Sequence, residues 1–370
     1  MTDDQGWGDL GIHGNDSIST PFLDQLGKES VRFEHFYVSP VCAPTRASLL
    51  TGRYHLRTGT SWVTHRKEVM RSEEVTISEY LKNAGYRTGI FGKWHNGEQY
   101  PNEPAGQGFD EFLGFKAGHW NNYFDPKLDH NDSLVTRKGF ISDIFTDAAM
   151  TWMNEHSEQP FFCYIPYNAP HGPFQVPDRY YDKYKAMGLT DKNSAVYGMV
   201  ENIDDNLGRL LKFLEEKALS QNTIIVFLTD NGPNGRRYNG GMRGTKASNH
   251  EGGMRVPLFI KWGDKLPAGK VIQPLTAHID LLPTLLNLCG IDFEPVLPLD
   301  GLSLVPLIND EKVEWPARQL YHIQTNGKKS ILHSAVRSEQ HRFVINRDSS
   351  MQLFDMIADP GEKNNIIDEF

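Results

Sequence analysis

Paired oxygen donors occur at two distant points of the chain, and their side chains are of the kind that holds a hard cation. The first pair is Asp3-Asp4. The second is Asp230-Asn231-Gly232, directly after the apolar run at 223–229. Three carboxylates and one amide, with no nearby Cys or His ligand pair, suit Ca²⁺ or Mg²⁺ and not zinc. Alone, Asp-Asn-Gly after a strand is more often a plain turn. A third cluster is Cys42-Ala43-Pro44-Thr45-Arg46. Pro44 marks a helix start with Cys42 just ahead of it, where unpaired backbone N–H groups and the positive dipole end gather. Arg46 falls one turn on, on the same face. An isolated Cys there reads as a buried small residue or as a reactive thiolate. Gly92-Lys93-Trp94-His95, Pro170-His171-Gly172-Pro173 and Gly244-Thr245-Lys246 add cationic and titratable groups, each ordinary when taken singly.

These groups need a scaffold that brings distant segments to one edge. Short apolar runs predict strands at 88–91, 161–166, 223–228 and 257–261. The run at 223–229 is apolar on both faces, as a central parallel strand is. Helical spacing predicts helices over 20–30, 44–51, 76–84, 142–156, 193–218 and 278–289. Alternating strands and helices imply an α/β fold with helices on both faces of a sheet, and ligand sites in such folds lie at the carboxyl ends of strands. After Pro316 the pattern changes to four short runs, 318–324, 331–337, 341–346 and 351–355, read as a small antiparallel sheet without catalytic residues. The division is 1–316 for a catalytic domain and 317–370 for a small subdomain.

Composition narrows the partners. The chain has 370 residues, with 38 Lys+Arg against 47 Asp+Glu and a formal net charge of −9. That balance disfavours a nucleic-acid backbone as the main partner. Mean hydropathy is −0.49, and no apolar stretch is long enough for a membrane span. Three cysteines, Cys42, Cys163 and Cys289, are too few for a disulfide scaffold. No signal-peptide pattern precedes Asp3. The strand expected ahead of Asp3 is missing and the C-terminal end looks cut as well, so the chain reads as a fragment.

The motifs in order are Asp-Asp-Gln-Gly-Trp-Gly-Asp-Leu-Gly, Ser-Pro-Val-Cys-Ala-Pro-Thr-Arg-Ala-Ser-Leu-Leu-Thr-Gly-Arg, Gly-Lys-Trp-His, Pro-His-Gly-Pro, Thr-Asp-Asn-Gly-Pro, and Gly-Thr-Lys with Glu-Gly-Gly-Met-Arg-Val-Pro. Together they resemble the type I sulfatase family, from residue 3 to about residue 365. Asp-Pro-Gly-Glu-Lys-Asn-Asn near the end is similar to the family's terminal signature. The resemblance implies an alkaline-phosphatase-like fold: a large mixed, mostly parallel sheet flanked by helices, plus a small C-terminal antiparallel sheet. It implies that Cys42 is oxidised to formylglycine, whose hydrated aldehyde is the nucleophile, by a formylglycine-generating or anaerobic sulfatase-maturating enzyme. It further implies that Asp3, Asp4, Asp230 and Asn231 hold one Ca²⁺ and that Arg46 holds the diol. Lys93 and His95 match the pair beside nucleophile and sulfate, and His171 and Lys246 match the sulfate-binding and leaving-group residues. The family's usual compartment is periplasmic or secreted.

One departure stands out: Asn96 replaces the leucine of Gly-Lys-Trp-His-Leu-Gly. Aromatic, amide and basic side chains at 118–124 and 236–239 favour a sulfated saccharide as substrate, with His119, Arg237 and His250 as candidate contacts. A formylglycine-dependent phosphonate or phosphodiester hydrolase and a non-catalytic saccharide-binding relative are the alternatives.

Overall fold

The computed structural model describes residues 1–310, 315–325 and 331–369. Two sheets form its middle. One runs Ser133–Thr136, Lys127–His130, Glu111–Phe115, Arg87–Lys93, Phe161–Tyr164. The other runs Val271–Ile272, Val31–Phe33, Leu258–Lys261, Ile225–Leu228. Residues 1–3 lie between the facing edges. On one side Tyr167 N donates to Met1 O (2.9 Å) and Asp3 N to Ala169 O (3.1 Å). On the other, Thr2 N donates to Leu228 O and Asp230 N to Thr2 O, both at 3.1 Å. This segment joins the two sheets into one mixed sheet and sets Asp3 and Asp4 beside Asp230.

Side-chain alternation divides the core into two faces. Ile90, Leu228, Leu258 and Ile260 pack with Leu49, Leu50, Ile77, Leu81 and Leu282. On the opposite face Phe91 and Leu113 meet Ile141, Phe145, Met199 and Ile203, and Phe227 and Phe259 meet Leu23 and Leu26. The helices Cys42–Thr51, Ile77–Asn83 and Leu281–Leu288 cover one face, and Pro21–Glu29, Ile141–Glu155 and Asp191–Glu216 the other. Local chemistry starts several of them. Thr76 and Glu79 form a reciprocal capping box, and the Thr190 side chain accepts from Asn193 N.

Two expectations need correction. The Ile225–Leu228 strand is parallel on one side only, where Thr229 bridges Thr2, and pairs antiparallel with Leu258–Lys261 on the other; its apolarity on both faces reflects helices above and below, which bury a strand of either direction. Cys42 is itself the first residue of the Cys42–Thr51 helix, with Val41 as N-cap. Pro44 therefore sits third in the helix, where its missing N–H is still one the helix would leave unpaired.

The strands Leu320–Thr325, Ile331–Arg337, His341–Ile345 and Met351–Asp355 pair antiparallel in sequence order, as expected. A buried ion network ties this sheet to the main body. Arg342, fully buried, pairs with Glu251 and lies 3.4 Å from Glu362 Oε1. Glu362 also accepts from His250 Nδ1 (3.0 Å) and Glu251 N (2.8 Å).

A buried carboxylate also anchors the first helix. Asp204 accepts from Leu23 N (2.6 Å) and Phe22 N (3.2 Å), capping Pro21–Glu29. Burial pushes its pKa up to about 7, and Asp205 and Asp24 add repulsion, against the two N–H bonds. A carboxyl whose folded value exceeds its unfolded value binds protons better when folded, so its share of stability falls as pH rises from about 4 to about 7. Asp204→Asn should remove that fall: equal to the parent near pH 4 and more stable near pH 8, read as Tm against pH.

Candidate active site

The charged centre lies where the 1–3 segment, the Ile225–Leu228 strand and the Arg87–Lys93 strand end. Asp3, Asp4, Asp230 and Asn231 are all essentially inaccessible to solvent. Carboxylate oxygens of Asp3 and Asp230 and the Cys42 sulfur lie within 4.8 Å of one another. Arg46, one turn along the helix from Cys42, donates to Asp230 Oδ2 (3.0 Å), Asp3 Oδ2 (3.3 Å) and the Lys93 carbonyl (2.8 Å). Lys93 Nζ is 2.5 Å from Asp3 Oδ2, and Lys246 Nζ is 2.5 Å from Asp4 Oδ1. His171 Nε2 stands 3.8 Å from Asp4 Oδ2. Asp4 (φ 67°), His95 (φ 65°) and Ala247 (φ 65°) adopt left-handed backbone conformations, and strain of this kind in non-glycine residues gathers at functional sites.

The oxygen cluster fits a hard cation. Asp3 Oδ1 and Asn231 Oδ1 are buried without a hydrogen-bond partner, an arrangement that is costly unless an ion or other donor meets them. Asn231 Nδ2 donates to Asp4 Oδ1 (2.9 Å), which turns the amide oxygen of Asn231 away from that carboxylate. All four side chains offer oxygens, as calcium requires.

Electrostatics separate the roles of the ionisable groups. Burial raises the Asp3 pKa, but Lys93, His171, Arg46 and Lys246 outweigh it and the net shift is downward. Burial and repulsion from Asp3 raise Asp230 to about 7, against Arg46 and Lys93. For Lys246, burial favours loss of the proton, yet Asp4 and its neighbours prevail and hold the proton more tightly than usual. Burial raises the Cys42 thiol, partly offset by Lys93 and Lys246. Burial, with Lys93, drives His95 well below its ordinary value, and burial likewise lowers His171.

Hydrogen bonds fix both tautomers. His95 Nε2 is 2.9 Å from the Val63 carbonyl. A carbonyl only accepts, so Nε2 carries the proton and Nδ1, buried and unpartnered, keeps its lone pair. His171 Nδ1 is 2.7 Å from the Gly172 carbonyl, so Nδ1 is protonated and Nε2 faces Asp4 as the free nitrogen.

The substrate candidates divide. His119 is exposed and lies edge-on to His171, ring centroids 5.6 Å apart, at the mouth of the centre. Arg237 is elsewhere employed: its guanidinium is buried against Asp9, with Nε 2.7 Å from Oδ1, and donates to the Asp4 carbonyl (2.9 Å). It props the loop that follows Asp4, with its guanidinium engaged by Asp9 and the Asp4 carbonyl. His250 is buried with Nδ1 on Glu362, a joint to the C-terminal sheet rather than a rim residue. Three contributors escaped the sequence reading. Asn234 Nδ2 reaches Asp4 Oδ2 (3.1 Å). Tyr123 OH donates to the His171 carbonyl (2.7 Å). Asn168, 2% exposed, leaves both amide atoms unpartnered. Position beside recognisable motifs (Asn234 after Asp-Asn-Gly-Pro, Asn168 before Ala-Pro-His) was the available signal for two of them; Tyr123 had none.

Buried oxygens, permanent cations and a helix-start cysteine at the carboxyl ends of strands make a cation-lined oxyanion centre of an α/β protein. Comparison with known proteins places it further. The Sulfatase family model matches residues 1–291, and a model described as N-sulphoglucosamine sulphohydrolase, C-terminal, matches residues 245–370. The chain is 33% identical over 344 residues to N-acetylgalactosamine-6-sulfatase of Canis lupus familiaris, covering 83% of this chain and 64% of the relative. It is 33% identical over 335 residues to the uncharacterized sulfatase YdeN of Escherichia coli (strain K12), covering 82% and 59%. The crystal structure of Ps i-CgsB in complex with k-i-k-neocarrahexaose superposes with a TM-score of 0.93 at 29% identity, covering 100% of this chain and 88% of that one. The chain belongs to the sulfatase family. It spans less than two thirds of the length of the curated relatives named here.

A glycine sets the His95 ring. A Cβ on Gly118 would lie 2.0 Å from His95 Nε2. Gly118→Ala should displace the ring and lower kcat roughly 100-fold, the scale for misplacing a catalytic group by about 1 Å, while Tm shifts by only a few degrees. Parallel kinetics and thermal melts check it.

Proposed function

We propose that this chain hydrolyses sulfate monoesters of a sulfated saccharide, with formylglycine derived from Cys42 as nucleophile and one Ca²⁺ on Asp3, Asp4, Asp230 and Asn231. The observation that carries the reading is the meeting of Cys42, Asp3 and Asp230 within 4.8 Å, enclosed by Arg46, Lys93 and Lys246. Calcium supplies positive charge to the transferring group, and a hydrated aldehyde supplies both an attacking hydroxyl and a second hydroxyl through which the aldehyde is restored. The chain's own residues do the rest. Arg46 links the nucleophile helix to the carboxylates. Lys93 and Lys246 are placed to neutralise equatorial sulfate oxygens. Lys246 binds its proton too firmly to surrender it readily, so it acts as a clamp. His171 Nε2, the free nitrogen facing Asp4, can serve the leaving oxygen as an acid only after it has itself taken up a proton, and His95 Nδ1 is suited to be the base beside the nucleophile.

A sugar sulfate is supported by the N-acetylgalactosamine-6-sulfatase likeness, by the likeness to a structure holding neocarrahexaose, and by exposed His119 beside His171. We assign Cys42 maturation to a formylglycine-generating or anaerobic sulfatase-maturating enzyme and place the protein in the periplasm or outside the cell. Among the described residues no helix is long and apolar enough to cross a membrane. The idle saccharide-binding alternative leaves the assembled centre without a purpose.

The phosphohydrolase alternative is weighed by charge. The proposed set Asp3, Asp4, Asp230 and Asn231 is read as holding one cation, whereas a pair of cations suits a phosphate dianion. The matured protein should therefore hydrolyse an aryl sulfate with higher kcat/KM than the matching phosphate monoester, and Lys246→Ala should lose most of that rate. A preference for phosphate would replace this reading with the alternative.

Two further outcomes are expected. Cys42→Ala should abolish turnover while keeping the parent's circular dichroism spectrum; residual full activity would remove Cys42 from the mechanism. Chelation should lower both activity and Tm, because a ligand bound only by the folded state stabilises it. Ca²⁺ should restore both better than Zn²⁺, as hard oxygen donors dictate; rescue by zinc alone would refute the calcium assignment.

A further inference from the structure

The segment 61–67, Ser-Trp-Val-Thr-His-Arg-Lys, is a short loop tied at both feet to the catalytic Gly-Lys-Trp-His-Asn stretch. The Val63 carbonyl accepts from His95 Nε2 (2.9 Å). Asn96 Nδ2 donates to the Glu68 carbonyl (3.3 Å) and to the Ala43 carbonyl (3.1 Å), next to Cys42. Met70 N donates to Asn96 O (3.0 Å), and Thr325 Oγ1 holds the Ser61 carbonyl (2.8 Å). Asn96, the residue that departs from the family pattern, thus clamps this loop and the nucleophile helix together. Within the loop, Ser61 N and Trp62 N both donate to Lys67 O (2.8 and 3.1 Å), and His65 and Arg66 are held at φ 61° and 63°. A closed backbone with two left-handed non-glycine residues has a fixed shape.

Its charges are unspent. Other cations of the neighbourhood have partners: Arg57 with Asp300 (3.2 Å), Arg71 with Glu74 (3.4 Å), Lys116 with Glu103. Arg66 and Lys67 have neither ion pair nor side-chain hydrogen bond among the described residues. Arg66 is exposed, Lys67 and Trp62 half-buried. Glu68, the acid next along the chain, has Oε2 buried. In a chain of net charge −9, two free cations and an indole on a rigid loop, one hydrogen bond from a catalytic histidine, mark a place for a second anion close to the first.

We propose that the 61–67 loop is a binding subsite for a sulfated or carboxylated sugar residue adjoining the one whose ester is cleaved, with Arg66 and Lys67 meeting its anionic group and Trp62 its ring. This rests on the saccharide-sulfatase reading for the identity of the cleaved sugar. It makes the protein selective for a multiply charged oligosaccharide over a monosaccharide sulfate, through residues that do not touch the reacting group.

The test uses the matured protein and the double variant Arg66→Ala/Lys67→Ala. Turnover of 4-nitrophenyl sulfate is measured, together with its inhibition by N-acetylgalactosamine 6-sulfate and by a carrageenan hexasaccharide. The parent should be inhibited at least tenfold more tightly by the hexasaccharide, and this preference should shrink as salt is raised. The double variant should lose about tenfold in hexasaccharide affinity, the scale of two partly exposed charge contacts, with aryl sulfate kinetics and monosaccharide inhibition unchanged. An undiminished hexasaccharide preference in the variant, an absent preference in the parent, or an equal loss toward all three compounds would each overturn the subsite. If the parent fails to turn over aryl sulfate at all, the sulfatase reading falls instead. Calorimetric titration of Cys42→Ala and of Cys42→Ala/Arg66→Ala/Lys67→Ala with the hexasaccharide then decides the subsite by itself.

Discussion

Asp3 is the point on which the centre turns. One of its oxygens accepts from both Lys93 and Arg46, and the other is buried without a partner. Removing several charges from water costs several kcal/mol per ion, and mutual attraction restores little more than that. A cluster of this kind is therefore weak support for stability and strong support for function. Its geometry is possible because residues 1–3 hydrogen-bond to both sheets at once. That single extended segment brings an Asp-Asp pair beside the Asp-Asn pair that ends another strand. Everything else in the centre is arranged around the charge so concentrated: Arg46 and Lys93 beneath it, Lys246 and His171 on its accessible side.

The C-terminal sheet acts on this centre without entering it. Glu362, in the terminal Asp-Pro-Gly-Glu signature, grips His250 and Glu251, while Gly252 N donates to Arg243 O (2.7 Å) across the same loop. That loop carries Lys246. The buried Arg342–Glu251 pair and the Tyr37 hydroxyl on Glu251 (2.8 Å) complete the joint. Cutting one of these groups leaves its partner charged and dry, which costs more than the pair contributes. The C-terminal tail thereby fixes where Lys246 stands.

The sequence carries the centre more plainly than the frame. Cys42, Arg46, Lys93, His171 and Lys246 were legible because chemistry restricts residue type at fixed spacing, and they converge. The long Asp191–Glu216 helix and the C-terminal strands were legible from periodicity. Strand direction is less legible, because burial on both faces produces the same apolar run in either case: Ile225–Leu228 has the 1–3 segment parallel on one side and Leu258–Lys261 antiparallel on the other. The outer hairpin Lys127–His130 and Ser133–Thr136 and the charged helix Asp178–Ala186 bury too little to leave a pattern. A related ambiguity covers Arg237 and His250, candidates for substrate contact that turn out to be paired with buried carboxylates. A basic side chain near a site looks the same in sequence whether it meets a ligand or a buried carboxylate, and only Asp9 and Glu362, distant along the chain, decide it.

The two histidines complete the logic of the charge cluster. His95 is pinned through Nε2 by the Val63 carbonyl and His171 through Nδ1 by the Gly172 carbonyl, so each keeps its opposite nitrogen as an acceptor. Burial lowers both, which favours neutral rings, while neighbouring carboxylates hold the protons of Arg46 and Lys246 more tightly than usual. On the proposed reading, the positive field on a bound anion is set by the arginine and lysine side chains, and proton movement is left to the imidazoles. Separating these duties lets a proton move without collapsing the field that holds the anion. The separation depends on Val63, a loop residue whose side chain has no chemistry, through its backbone carbonyl alone. The Val63 backbone thus orients the His95 ring, whatever the side chains on the loop's outer face bind.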